Sequence, residues 1–115
     1  MPDQYVARLG LSHTIWPEIG LSITLGARAE GVPIVFGTDL LGHMHARQCG
    51  EFTLRLGAMS PIEILQSATI EAARLMRQEG AIGEIVPGAW ADLLVVEGDP
   101  TQDLSMLADA QRGPL

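Results

Sequence analysis

The sequence predicts an α/β fold, because two apolar segments typical of buried strands are separated by a long stretch typical of helices. The first segment, residues 33–38, is an apolar run that begins at a proline and reaches a glycine. The second, residues 91–97, contains four consecutive aliphatic residues and precedes a Gly-Asp-Pro turn sequence. Continuous apolar runs of this length are typical of strands buried on both faces, as in parallel sheets.

A helix is predicted from Pro17 to about residue 30, directly before the first strand. Proline suits the first helical position, and Glu18 complements the helix dipole. Apolar residues then recur every four positions from residue 21 to residue 29, and Gly31 ends the helix. The loop to the strand is very short, as expected for half of a βαβ unit. Residues 1–15 show no single periodicity.

Three further helices are predicted between the strands, after a polar loop over residues 40–48. The first runs from about residue 48 to residue 56. The second opens with a capping box, in which Ser60 is the N-cap, Pro61 the first helical residue and Glu63 the third. The third is capped by Thr69 and closed by Gly80. The residues expected to face the core are Ile62, Leu65, Ala68, Ala72, Ala73, Leu75 and Met76.

The character of the chain changes near residue 80, which predicts two units, residues 1–79 and residues 80–115. The second unit is punctuated by Gly83, Pro87 and Gly88, contains the second strand, and has a short element around residues 104–107. Two strands alone do not make a stable sheet. We therefore expect the partner strands either in residues 1–15 or in a segment outside this sequence, and we favour the second interpretation.

Composition limits the class of function. The chain has 115 residues, 47% of them hydrophobic, a net charge of −7 and no lysine. An acidic chain without a basic stripe is not expected to bind nucleic acid. No apolar run approaches the roughly 20 residues that span a bilayer, and the residues near Met1 do not resemble a signal peptide. The single cysteine excludes an internal disulfide and fits a reducing cytoplasm, so a cytoplasmic location with no membrane partner is predicted.

Asp39 is the strongest candidate for a catalytic or metal-binding residue. It follows the first predicted strand directly, and α/β folds carry their chemistry at the carboxyl ends of strands. A carboxylate in this position can bind a divalent cation, and it can take a proton from an attacking water and pass it to a leaving nitrogen. The alternative is that Asp39 only caps the turn that follows the strand.

The three histidines are weaker candidates. His43 and His45 alternate, so they would share a face and could bind a metal ion if the segment were extended. The segment begins with a glycine and lies in a predicted loop, which favours surface or substrate-pocket positions for both. His13 is expected to be structural or exposed.

The cysteine and the neighbouring glutamate have simpler expected roles. Cys49 has no activating neighbour in the sequence, so a buried thiol without a catalytic role is expected. Glu51 is expected either to reach the same site as Asp39 or to pair with Arg47 or Arg55, four residues away on either side. Turn-forming roles are expected for Asp92 and Asp99.

Several of these motifs, taken in order, resemble one family. Gly37-Thr38-Asp39 follows an apolar strand, and Leu40 to His45, Glu51-Phe52, Met59 to Thr69 and Ile82 to Pro100 come after it. This series is similar to the C-terminal third of the metal-dependent amidohydrolase superfamily, in its imidazolonepropionase-like and prolidase-like branch. The match spans roughly residues 20–107; the Gly-Thr-Asp triplet alone is a weak signal, and the ordered series is more specific.

The resemblance implies the C-terminal piece of a (β/α)₈ barrel, with the strand before Asp39 as its last strand, and terminal strands of a small β-sandwich. It also implies hydrolysis of amide, cyclic amide or dipeptide-like C–N bonds by a metal-activated water, with Asp39 as metal ligand and proton shuttle. The complete enzyme would hold one or two divalent ions, which we expect to be zinc.

The chain departs from the family pattern in its ligand set. The family's metal site uses a His-x-His pair on the first strand, a bridging lysine or glutamate and two further histidines, whereas this chain has no lysine and its only such pair follows the last strand. We therefore expect a fragment that is inactive alone. The alternatives are a non-catalytic remnant, with copies associating through apolar edges, and a small binding module.

Overall fold

The computed structural model describes residues 15–109, with side chains from residue 20 onward. This part of the chain contains five α-helices and two 3₁₀ helices. In chain order they are α1 (Ile15–Ala29), a 3₁₀ helix (Gly42–Gly50), α2 (Glu51–Leu54), a second 3₁₀ helix (Arg55–Gly57), α3 (Pro61–Ala68), α4 (Ile70–Leu75) and α5 (Ser105–Ala108). His13 and the unassigned residues 1–14 lie outside the described range.

Helix α1 begins two residues earlier than predicted and ends where predicted. Gly31 has a φ of 68°, a left-handed conformation that glycine adopts without a steric penalty. The Val32 N–H donates to the Ala27 carbonyl at 2.9 Å, which closes the end of the helix. Near this end, Arg28 Nε lies 2.8 Å from Glu63 Oε1, so an ion pair joins α1 to α3.

The capping box at the start of α3 is confirmed. The Ser60 hydroxyl accepts a hydrogen bond from the Glu63 N–H, and the Glu63 carboxylate accepts one from the Ser60 N–H at 2.8 Å. The Ser60 N–H and the Ser60 hydroxyl both donate to this carboxylate, and these two bonds, followed by the ion pair with Arg28, lower the pKa of Glu63 from 4.5 to about 2. The prediction succeeds because a capping box depends only on residues within one helical turn.

The core is a small cluster of buried apolar side chains beside α3. Its buried members are Ala58, Met59, Ile64 and Leu104. The partly buried side chains packed against them are Leu21, Ile34, Phe36, Phe52, Leu65 and Leu107. Ile64 is completely buried, and burial of such a side chain contributes about 1.5–3 kcal/mol. Leu104 and Leu107 attach α5 to this core, which confirms a short element at residues 104–107.

The predicted core face is only partly correct. Ala73 is buried, and Leu65, Ala68 and Ala72 are half-buried. Three other predicted core residues are exposed: Ile62 (47%), Leu75 (71%) and Met76 (63%). Ile62 is two residues, or about 200° of helix rotation, from Ile64, so both cannot face the core. Helix α4 ends at Leu75 rather than near Gly80. Leu75 and Met76 therefore lie at the end of the helix, beyond the buried Ala73.

Thr69 occupies the N-cap position of α4, as predicted, but its side chain does not cap that helix. Its hydroxyl donates instead to the Leu65 carbonyl at 2.7 Å, one turn back in α3. This local bond competes with the capping bond because threonine hydroxyls readily bond to a carbonyl four residues earlier. Helices α3 and α4 therefore meet at Thr69 without a side-chain cap.

Neither predicted strand forms a β-ladder within the described residues, so the two strand assignments stay predictions. Residues 33–38 are non-helical and lie partly against the core. Their backbone groups bond to groups of the following helices rather than to another strand: the Phe36 N–H donates to the Ser67 carbonyl at 3.0 Å. A strand is defined by its ladder, and within residues 15–109 no second strand is present to form one.

The second predicted strand is also non-helical and is much more exposed. Leu93, Leu94 and Val95 are 61%, 64% and 62% exposed, and no backbone hydrogen bond involves residues 91–97 within the described range. The chain lies close to the start of α4 eight residues before this segment, because Gly83 has a φ of 82° and a Cβ there would lie 2.6 Å from the Thr69 carbonyl oxygen. The side chains of Leu93, Leu94 and Val95 are therefore not packed into the core of the described structure.

The two connecting regions differ in their agreement with the sequence. The predicted loop over residues 40–48 is wrong, because a 3₁₀ helix occupies Gly42–Gly50, using short-range bonds that need no distant partner. The predicted turn at Asp99 is confirmed, since its carboxylate accepts hydrogen bonds from the Thr101 N–H and hydroxyl at 2.9 and 2.6 Å. No helix in residues 15–109 is long and apolar enough to cross a membrane.

Candidate active-site segment

Asp39 directly follows the non-helical segment of residues 33–38, on the surface of the described structure. Its side chain is exposed, and its φ is 51°, in the left-handed region. Aspartate enters this region more readily than most residues, at a cost of order 1 kcal/mol. Its carboxylate has no hydrogen-bond or ion-pair partner among residues 20–109. The geometry thus presents a carboxylate to solvent at the position where the sequence predicts a catalytic or metal-binding residue.

The segment that leads to Asp39 is held by Arg55. The two terminal nitrogens of the guanidinium group donate to the Val35 and Gly37 carbonyls, at 3.4 and 3.3 Å. Its Nε donates to Glu51 Oε1 at 2.8 Å. The Arg55 side chain is only 11% exposed, so these contacts are partly shielded from solvent. Arg55 therefore ties the second 3₁₀ helix to the backbone that precedes Asp39.

Aromatic packing reinforces the same attachment. The rings of Phe36 and Phe52 have centroids 4.5 Å apart, and the Arg55 guanidinium lies 4.9 Å from the Phe36 ring centroid. Aromatic and cation–π contacts of this kind contribute about 0.5–1.5 kcal/mol each. On the other side, the carbonyl of the buried Ser67 accepts from the Phe36 N–H. The segment is consequently fixed from both sides immediately before Asp39.

The histidine pair lies in the 3₁₀ helix that follows Asp39, and both side chains are exposed. A 3₁₀ helix has three residues per turn, so residues two apart, such as His43 and His45, lie on different faces of the helix. The extended His-x-His geometry considered from the sequence is therefore not formed. A substrate-pocket role for either histidine stays a prediction.

The described residues do not assemble a metal centre by themselves. Among residues 20–109 there is no group of three or more His, Cys, Asp and Glu side chains that could hold a metal ion. Asp39 could supply one ligand, and any further ligands would have to come from outside this range.

Two expectations for neighbouring residues are resolved by the structure. Glu51 pairs with Arg55, one of the two predicted arginines, and Cys49 is half-buried rather than buried. The role of Arg55 towards Val35 and Gly37 was not predicted. The sequence carries only its four-residue spacing from Glu51, and contacts across about twenty residues leave no local signal.

Comparison with known proteins identifies the class. The family model described as "Amidohydrolase family" matches residues 22–113. Because this match covers most of the chain, the chain belongs to the amidohydrolase family, and the resemblance predicted from the sequence is confirmed.

Individual relatives include deaminases and a prolidase. The chain is 31% identical over 84 residues to 5-methylthioadenosine/S-adenosylhomocysteine deaminase of Symbiobacterium thermophilum, covering 63% of this chain and 19% of that protein. It is 27% identical over 96 residues to adenine deaminase 4 of Rhizobium meliloti, covering 79% of this chain and 16% of that protein.

Solved structures show the same relationship. A prolidase complexed with N-methylphosphonate-L-proline matches with a TM-score of 0.82 and 36% identity, over 99% of this chain and 27% of that one. A crystal structure of an amidohydrolase matches with a TM-score of 0.78 and 39% identity, over 83% and 23%. The described fold is therefore that of one part of an amidohydrolase. The chain spans about a quarter or less of each of these relatives.

Proposed function

We propose that this chain supplies the Asp39 carboxylate to the reaction centre of an amidohydrolase that hydrolyses C–N bonds in small molecules. The observation that supports the proposal is the exposed Asp39 carboxylate, which follows an apolar segment held by Arg55. The chain also belongs to this family. In the proposed role, Asp39 takes a proton from the attacking water and passes it to the leaving nitrogen.

The proposed substrates follow from the reactions that the relatives' names share. A deaminase replaces a C–N bond with a C–O bond, and a prolidase cleaves an amide bond to proline. Amides, cyclic amides and dipeptide-like compounds therefore remain the proposed substrate class. The zinc ion, the barrel and sandwich units divided near residue 80, and the cytoplasmic location stay predictions from the sequence.

A divalent metal ion would, when bound, acidify the attacking water, and Asp39 is the described residue that would contribute a ligand. Because the described residues offer no complete ligand group, we propose that the 115-residue chain does not catalyse hydrolysis alone. Active centres of this type need about three protein ligands.

The test compares Asp39→Asn with Asp92→Asn, a matched change at another exposed aspartate. In the complete product of the gene that carries this chain, we expect Asp39→Asn to lower kcat/KM by about 10²-fold or more, because it removes a general acid–base group. Release of proline or ammonia from dipeptide and amide substrates measures the rate. Equal activity in the two variants would contradict the proposal.

The isolated 115-residue chain provides the second arm of this test. With added Zn²⁺ we expect no hydrolysis above the buffer rate and no stoichiometric, tightly bound zinc by metal analysis. A tightly bound zinc ion in the isolated chain would show that the ligand set is complete, contrary to the proposal.

A second candidate function is association with another polypeptide, without catalysis. Its supporting observation is the exposure of Leu93, Leu94 and Val95, which lie consecutively in an apolar segment with no backbone partner in the described residues. Unpaired apolar segments of this kind promote pairing between chains. The mass of the chain in solution separates this candidate from the first.

A further inference from the structure

The guanidinium group of Arg55, whose side chain is largely shielded from solvent, contacts four other residues. It bonds to Glu51, to the Val35 carbonyl and to the Gly37 carbonyl, and it stacks on Phe36. Arginine suits this arrangement because its planar group carries five donors in a fixed fork. Lysine has a single ammonium group and cannot reach two carbonyls and a carboxylate with the same geometry.

The two carbonyls are placed so that one planar group can reach both. In an extended backbone, alternate residues direct their carbonyls to the same edge, and Val35 and Gly37 are alternate residues. Arg55 thus occupies the edge of this segment that a neighbouring strand would otherwise bond. The opposite edge is held where the Phe36 N–H donates to Ser67.

The effect of these contacts ends immediately before Asp39. Gly37 lacks a side chain that could restrict its backbone, and Asp39 is in the left-handed region, which costs free energy unless the surroundings hold it there. The attachments nearest to Asp39 are the bond from Arg55 to the Gly37 carbonyl and a local bond from the Leu40 N–H to the Thr38 hydroxyl at 3.4 Å. Of these two, only the bond from Arg55, sixteen positions later in the chain than Asp39, joins this backbone to another element.

We propose that Arg55, held by Glu51, is the positioning residue that fixes the backbone of Val35 to Gly37 and thereby orients the Asp39 carboxylate for reaction. Its contact with Asp39 is indirect, through the backbone. The relevance of this positioning to catalysis rests on the proposed function of Asp39, whereas the positioning itself can be observed without catalysis.

The first experiment measures the backbone of Asp39 by NMR in the 115-residue chain. A left-handed residue has an unusually short distance between its amide and α protons, which gives a strong nuclear Overhauser effect within the residue. We expect this signal at Asp39 in the wild type and its loss in Arg55→Gln and Arg55→Lys. Arg47→Gln is the matched control, because Arg47 is exposed on the preceding 3₁₀ helix, and it is expected to retain the signal.

A fold control accompanies each variant. The Phe36 amide donates to Ser67, not to Arg55, so its hydrogen exchange reports whether the segment still lies on α3. If Arg55→Gln exposes this amide as well, Glu51→Gln is the second variant, since it releases Nε and leaves the arginine in place. We expect Glu51→Gln to weaken the Asp39 signal while Phe36 stays protected.

The second experiment uses the complete gene product and steady-state kinetics. We expect Arg55→Lys to lower kcat by about 10- to 100-fold with KM little changed, because a small displacement of a reacting group costs rate rather than binding. A purely structural role would instead lower the amount of folded enzyme and leave kcat per folded molecule unchanged.

The outcomes separate the two proposals. Loss of the Asp39 signal in Arg55→Gln, with Phe36 protected, supports positioning even if Asp39→Asn shows that this carboxylate is not catalytic. Retention of the signal in Arg55→Gln and Glu51→Gln overturns the positioning role. A wild-type chain without a left-handed Asp39 overturns it as well. A normal kcat in Arg55→Lys, with Asp39→Asn inactive, overturns the role of this positioning in catalysis.

Discussion

The two segments that the sequence predicts as strands have similar composition but different surroundings. Residues 33–38 lie against the core, with Ile34 and Phe36 packed on the buried cluster. In residues 91–97, three consecutive apolar side chains are more than 60% exposed. The first segment follows one helix and precedes three others that supply its contacts, whereas the second is followed only by the short helix α5. An apolar run is therefore buried when the same chain supplies the surface that covers it.

This difference has a consequence for stability. In the region around α3, packing and polar contacts act together: Ile64 is buried, and Glu63 links α1 to α3. In the region from residue 82 to residue 98, the apolar residues contribute little to burial within this chain. Substitutions of the same type should therefore have unequal effects in the two regions.

The largest expected effect is from Ile64→Ala. This change removes a completely buried side chain and should lower the free energy of unfolding by about 2–5 kcal/mol. Ile85→Ala is the matched control, since Ile85 is 86% exposed, and it should change that free energy by less than about 0.5 kcal/mol. Urea unfolding followed by circular dichroism measures both. Similar losses in the two variants would contradict the assigned core.

A smaller effect is expected from Glu63→Gln. Its carboxylate caps α3 and pairs with Arg28, and loss of such a cap costs about 1 kcal/mol at neutral pH. The pKa of Glu63 falls from 4.5 in an unperturbed group to about 2 in the fold. Its contribution is therefore complete above pH 4.5 and is lost as the pH falls through about 2.

Thermal unfolding between pH 7 and pH 2 measures this difference. We expect the stability gap between the wild type and Glu63→Gln to close at the acid end. Glu97→Gln, at an exposed glutamate in the other region, should show no gap at any pH. A gap that widens on acidification would contradict the assigned capping and pairing of Glu63.

The smallest effect on stability is expected from Leu94→Asp, because this side chain is 64% exposed. The free energy of unfolding should change by less than about 0.5 kcal/mol. If the apolar segment associates with other chains, the change should lower the mass observed by sedimentation velocity at high protein concentration. Gln48→Asp introduces the same charge on another exposed position and should leave the mass unchanged. An unchanged mass in Leu94→Asp would argue against this segment as the contact.

The sequence predicted the local features well. The capping box at Ser60, the turn at Asp99 and the pairing of Glu51 each depend on residues within four positions of one another. It also indicated the family, because the ordered motifs are chemically specific. These features could be predicted since their partners are nearby in the chain.

The features that could not be predicted depend on distant residues. Ile62 and Ile64 are both apolar, and only the packing against residues 58 and 104 shows which of them is buried. The carbonyl contacts of Arg55 join residues about twenty positions apart. Strand pairing has the same long-range character, which explains why a correctly recognised apolar run need not form a ladder within residues 15–109.

Gly83 sets a limit on how this chain can vary. A side chain there would meet the Thr69 carbonyl and the Ala73 methyl group, at 2.6 and 3.1 Å from its first carbon atom. Because the collision is with backbone, a rotamer change cannot relieve it. Residue 83 is thus a position where the close approach to the Thr69 backbone requires glycine. A substitution of this glycine would have to be accompanied by a shift of the backbone at residue 83 or at Thr69, whereas exposed side chains such as Ile85 and Leu93 can change without such a shift.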